Sequence, residues 1–425
     1  MMHQSAGVAG FSYRPNASFV IKAAAAAFIT YLSMYAFRKP FTAATYDGLY
    51  LWGMQYKLWL VLAQLVGYTC SKFLGIRFIA ELTEKNRIAV LTGLMSFALL
   101  TLLLFGMIPY PYNLPVMFLN GLPLGMIWGV VFSFLEGRRT TELLGAVMAS
   151  SFIISSGIVK SSGSWLLLNW RLSEMWMPFV TAVCFIPLLV LGILLLRNLA
   201  GPDQDDIASR TARLPMNKAE RTAFLKRFAP GIVMAVSLYV ALTVFRDLRD
   251  NFAVEFWQAI GFGDSPALFT FSELPTAVAV LVVISLMIII RDNKPAFFST
   301  LIISACSGLC LIVISQLFSK GRISGVTWMI LAGALMYLPY IAYHTLFFER
   351  WLAYFKYKGN AGFLMYMADT AGYLGSTIVL IIKSFATPQI SWLDFFIFSA
   401  TLAGFLILIL SVFAFLYFKK QAVHN

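Results

Sequence analysis

A helix needs about 20 mainly apolar residues to cross a bilayer. Twelve such runs lie along this chain, at 18–45, 50–76, 88–108, 113–136, 142–168, 175–197, 229–257, 266–290, 295–318, 324–348, 360–384 and 391–418. Turn signals fall in the gaps: "PYPYN" at 109–113, "GFGDSP" at 261–266 and "RDNKP" at 291–295. The pattern predicts an all-α membrane protein of twelve transmembrane helices. The longest gap, 198–228, carries "GPDQDD" and then a basic stretch to Arg227. It reads as a solvated cytoplasmic linker with a surface helix along the headgroups, with a regulatory segment as the alternative. It divides the chain into an N-terminal half, 1–197, and a C-terminal half, 229–425.

Composition agrees. The chain of 425 residues is 60% hydrophobic and only 12% charged, where a soluble domain carries about 25% charged residues. The positive net charge serves topology rather than nucleic acid, because the cations lie mostly in short gaps and form no folded basic patch. With the N-terminus inside, 21 of the 32 Lys and Arg fall on the cytoplasmic side and 5 outside. The positive-inside rule then places both termini in the cytoplasm of a multi-pass protein of the inner or plasma membrane. The first apolar run is too long for a signal peptide, and it flows into Arg38 and Lys39 without a clear cleavage site. Cys70, Cys184, Cys306 and Cys310 lie in or beside the runs and read as buried small apolar residues.

The two halves echo each other. Tyr31, Phe37 and Arg38 of span one match Tyr239, Phe245 and Arg246 of span seven at one constant offset. Two pseudo-symmetric six-helix halves describe the major facilitator fold, whose substrate site lies at the midplane between them.

Six cations stand inside the runs: Arg38, Lys39, Lys72, Lys160, Arg246 and Arg249. Each costs about 2.5–3.5 kcal/mol at a helix centre on insertion scales, so most must face a polar cavity or a partner. Snorkelling suits only those near helix ends, such as Lys39 and Arg249. Tyr31, Tyr35 and Arg38 share one helix face, and two phenols beside a guanidinium can grip an oxyanion. Pro40 is expected to loosen the first helix. In span seven, "FRDLRDNF" sets Arg246 and Asp250 at i, i+4, able to pair along the helix. Arg246, Asp247, Arg249 and Asp250 together could form one neutral network or a gate that opens when a substrate competes for the arginine. Glu273 and Asp369 could each carry a proton, or pair with Lys39, Arg249 or Lys160. Tyr337, Tyr340 and His344 could share a face and touch a substrate. No Walker loop, metal-spaced His/Cys set or nucleophile elbow occurs, so neither an enzyme, a cofactor nor a metal is expected.

The run of Tyr31, Tyr35, Arg38, Lys39 and Phe41 resembles the first-helix signature of the organophosphate:phosphate antiporters of the major facilitator superfamily, the glycerol-phosphate and hexose-phosphate carriers. Ser71-Lys72-Phe73 is similar to that family's second-helix lysine motif. Arg246 falls where the family has its second substrate arginine, and Gly372-Tyr373-Leu374-Gly375-Ser376 is also family-like. The resemblance implies that Arg38 and Arg246 bind a phosphoryl group from the two halves and that Lys72 adds positive potential. It implies that Lys39, Asp250 and Glu273 form ion pairs closing the outer side. Two departures stand out. The family's histidine in helix five is absent, with Ser155, Ser156 and Lys160 there instead. The loop after span two reads "AELTEKNR" rather than the usual Asp-Arg form.

The leading expectation is a monomeric secondary transporter of a small organic anion, a phosphorylated metabolite exchanged for phosphate, with that anion and the lipid bilayer as its partners. A proton-coupled symporter using Asp369 or Glu273 is the second. A transporter-like sensor without flux, signalling through 198–228, is the third.

Overall fold

A computed structural model describes residues 17–80, 82–136, 138, 140–201, 206, 218–357, 361–385 and 390–423. Among these residues ten helices are long and apolar enough to cross a membrane, and a bent pair in span six makes an eleventh. The predicted eleventh span is a 25-residue helix, Ala361–Phe385, about 37 Å long at 1.5 Å per residue. Of the 198–228 linker, residues 202–205 and 207–217 lie outside the described residues.

Several ends differ from the hydropathy pattern, and each has a local cause. The first helix, Ala17–Arg38, stops seven residues before the apolar run does. Lys39 still donates to the Tyr35 carbonyl, but Pro40 has no backbone N–H with which to continue the ladder. Pro40 opens a 3-10 turn, Pro40–Ala43. Pro40 therefore ends the helix rather than loosening it. The second helix, Tyr56–Ala80, starts later than its run. Before it comes an antiparallel hairpin, Tyr50–Leu51 with Met54–Gln55, so the chain is not wholly α. Its turn residues Trp52 and Gly53 both have positive φ, 48° and 78°, as a tight two-residue hairpin turn requires.

Span six breaks at Phe185, one residue before Ile186-Pro187, into Met177–Cys184 and Ile186–Arg197, bent by 44°. The seventh span belongs to a longer helix, Lys218–Asn251, that leaves helical geometry at Phe228, two residues before Pro230. The tenth span runs as Gly325–Ala342, a π turn Tyr343–Phe347, and Phe348–Tyr354. Such wide turns often mark functional positions, and this one contains His344.

The packing shows the symmetry. Spans one and five, two and four, and three and six touch in the first half; seven and eleven, eight and ten, and nine and twelve touch in the second. The halves meet where span two packs on span eleven and span five on span eight. This pairing also maps onto itself when the halves are exchanged. Close contact needs glycine at the crossings. A Cβ on Gly121 of span four would lie 2.3 Å from the Gln64 carbonyl of span two, and one on Gly157 of span five 2.6 Å from the Phe269 carbonyl of span eight.

All six cations inside the apolar runs are buried. They face protein rather than lipid, and none is a snorkelling side chain. The cysteines depart from expectation: Cys184, Cys306 and Cys310 are exposed and Cys70 half-buried, all as free thiols. On a lipid-bathed wall an apolar thiol is as well solvated outside as in the core, so hydropathy does not assign it a side.

Candidate substrate site

A cavity lies between the halves. Its volume is about 20 Å3. That is room for a water, so side chains must part to admit a metabolite. Arg38, Tyr31 and Tyr35 of span one, Lys72 of span two, Arg246 of span seven, Tyr340 and His344 of span ten, and Asp369 of span eleven all line it.

Arg38 is the central group. It is 8% exposed, and its Nε has no hydrogen-bond partner. Its guanidinium carbon lies 3.9 Å from the Tyr68 ring centroid and 6.0 Å from that of Tyr35. No carboxylate lies within ion-pair distance of it among the described residues. Arg246, from the other half, has a partner. Its Nη2 is 2.7 Å from Asp247 Oδ1, while Nη1 donates to the Tyr340 hydroxyl. The i, i+4 pairing of Arg246 with Asp250 does not form. Asp250 is turned instead to the first half, where both Lys39 and Lys160 reach it.

Asp250 also lines the cavity, and around it the halves are joined. Lys39 Nζ contacts Asp250 Oδ2 and donates to Asn251 Oδ1 at 2.7 Å. Lys160 Nζ lies 2.7 Å from Asp250 Oδ1, which also accepts from the Ser156 hydroxyl. Lys57 pairs with Glu255 at 2.6 Å and donates to the Thr42 carbonyl. These contacts join the halves. Arg249 and Glu273, 2.6 Å apart, are different. Both belong to the second half, so this pair ties span seven to span eight and does not bridge the halves.

A second constellation also joins the halves beside the cavity. Lys72 Nζ is 3.3 Å from Asp369 Oδ2 across the seam. Asp369 Oδ1 accepts from the Tyr239 hydroxyl at 2.5 Å, and that hydroxyl lies 3.4 Å from His344 Nδ1. The imidazole sits edge-on to Trp128 at 5.2 Å and to Phe152 at 6.3 Å. The resemblance would put a histidine on helix five; here Phe152 of that helix meets an imidazole supplied from the other half.

Sequence reading missed Tyr68, Trp128, Phe152 and the Lys57–Glu255 pair. Tyr68 was within reach, since it precedes Lys72 by four residues and so shares its helix face. Tyr373 stands in the same relation to Asp369, and the two tyrosine rings meet at 5.1 Å. Trp128 and Phe152 have no such signal.

The overall shape is shared with solved transporters. A D-xylose-proton symporter matches with a TM-score of 0.59 at 14% identity, over 93% of this chain and 96% of that one. A bacterial homologue of the human drug peptide transporters PepT1 and PepT2 matches with 0.62 at 11%, over 95% and 99%. The nucleoside transporter NupG, in a mutant form, matches with 0.60 at 14%, over 94% and 99%. At these identities the likeness concerns the fold, which is the major facilitator fold. None of the curated proteins matches the chain in sequence. A family model matches residues 40–421, nearly the whole chain, and this protein therefore belongs to the family of unknown function DUF5690.

Proposed function

We propose that this protein is a secondary transporter of a small organic anion, of the phosphorylated-metabolite class and exchanged for phosphate, working by alternating access. The carrying observation is Arg38, a buried guanidinium lining the cavity with no carboxylate partner among the described residues. A buried unpaired charge is costly, and an incoming oxyanion relieves that cost through the planar donor fork. The surrounding charges support a dianion. Among the described residues Arg38, Lys39, Lys160 and Arg246 have only Asp247 and Asp250 as ion-pair partners, a surplus of two positive charges. Closure around the filled site is then favoured over closure around the unfilled one, which gives exchange. With both termini cytoplasmic, the Asp250 end faces outward and the His344 end inward.

The test is phosphate exchange and uptake of sugar phosphates in proteoliposomes carrying Arg38→Lys or Arg246→Lys. Either change keeps the charge and removes the fork, and exchange should collapse. Wild-type uptake in either variant would sink the proposal. One observation favours a second reading, proton-coupled symport: Lys72, Asp369, Tyr239 and His344 form a continuous polar chain. Uptake that stops with an uncoupler, even with phosphate trapped inside, selects it.

A further inference from the structure

A second recess lies away from the central cavity. It is a groove of about 570 Å3 on the side wall, at the seam where span five meets span eight. That volume falls within the range of about 300–1,000 Å3 found for ligand sites. Its walls are apolar. Trp165 and Trp170 come from the end of span five, Phe185 from the break in span six, and Phe271 from span eight. The groove is therefore built by both halves.

Four hydroxyls also line it, and each proton is already engaged. Ser161 donates to the Pro266 carbonyl at 2.7 Å, and Thr270 lies 2.7 Å from the Ser161 oxygen. Ser162 donates to the Ile158 carbonyl and Thr181 to the Met177 carbonyl. The wall thus presents carbon, not donors, and suits an aliphatic chain better than a polar solute. Its mouth is different. Trp165 and Trp170 are 46% and 62% exposed, as belt aromatics at a membrane interface are. Arg171 follows directly, exposed and at a backbone turn with φ 50°. A guanidinium at headgroup level complements a phosphodiester.

We infer that this groove is a phospholipid site, with one acyl chain lying between the halves and the phosphate on Arg171. Because the chain touches spans five and eight together, its occupancy stabilises the arrangement in which those spans are closed. The inference is independent of what the central cavity carries.

The experiment is photolabelling in nanodiscs containing a phosphatidylglycerol with a diazirine in its acyl chain. Labels should concentrate on Trp165, Leu166 and Phe271 rather than on Val278, Val282 and Leu286, which are exposed on the same eighth helix. Ala267→Trp fills the groove and should reduce groove labelling to the level at Val278 in folded protein; Cys184→Trp serves if that variant does not fold. Arg171→Glu should lower groove labelling as well. Even labelling along the eighth helix, or groove labelling undiminished by filling, overturns the site. Equal labelling by a diazirine fatty acid lacking phosphate overturns the phospholipid assignment.

Discussion

The guanidinium carbon of Arg38 sits 3.9 Å from the centroid of the Tyr68 ring. The ring face supports a cation that has no carboxylate partner among the described residues, so the cation remains available to a ligand. A desolvated cation–π contact contributes about 2 kcal/mol, which is more than tenfold in affinity. Tyr68→Phe should keep phosphate binding near wild type, and Tyr68→Leu should weaken it by about tenfold. Phosphate titration of each purified variant by calorimetry is the check. Equal loss in both variants would point to the hydroxyl instead.

Asp250 serves two lysines, and the loss of each group should be unequal. Removing one partner of a buried pair costs about 3–5 kcal/mol because the other charge is stranded. Asp250→Asn strands Lys39 and Lys160 together. Lys39→Gln leaves Asp250 still paired with Lys160 at 2.7 Å. Thermal unfolding should therefore show a much larger loss for Asp250→Asn than for Lys39→Gln. The reverse order would contradict the two-to-one arrangement.

Lys72 and Asp369 bridge the halves at the His344 end, so their effects should be coupled. Lys72→Gln, Asp369→Asn and the double variant form a cycle. Contacting residues show coupling of about 0.5–3 kcal/mol, and the double variant should be less impaired than the two singles combined. Strict additivity in unfolding and in exchange rate would remove this pair from the seam.

Glycines at crossings within a half and between halves should respond differently. Gly121→Ala forces apart two helices of one half, at about 1–3 kcal/mol for overpacking, and should lower unfolding temperature and yield. Gly157→Ala acts at the seam, where the halves can part without either unfolding. It should hold the Asp250 end open. A thiol reagent added from outside should then reach Lys39→Cys faster in the Gly157→Ala background than without it. Unchanged labelling there would mean that the seam does not open at this crossing.

Much of this site was legible in one dimension because helical spacing relates residues on the same helix. Tyr31, Tyr35 and Arg38 share a face by their spacing alone, and they do line one cavity. The same spacing misleads when a stronger partner lies on another helix. Arg246 and Asp250 are correctly spaced to pair, yet Asp250 meets Lys39 and Lys160 from the other half, and Arg246 takes the adjacent Asp247. For Glu273 three partners were open by sequence; spans seven and eight both pack on span ten, and there Glu273 meets Arg249.

The sequence by itself determined that the chain crosses the membrane many times and that its intramembrane cations must be buried. Both follow from the energetics of transfer into hydrocarbon, which depend on composition and run length and not on partners. Only the tertiary structure decided where Pro40 turns the first helix, which carboxylate each cation meets, and that Arg38 meets none among the described residues. Those outcomes depend on the rotation and register of one helix against another, set by close crossings such as Gly121 and Gly157, and no local pattern records them.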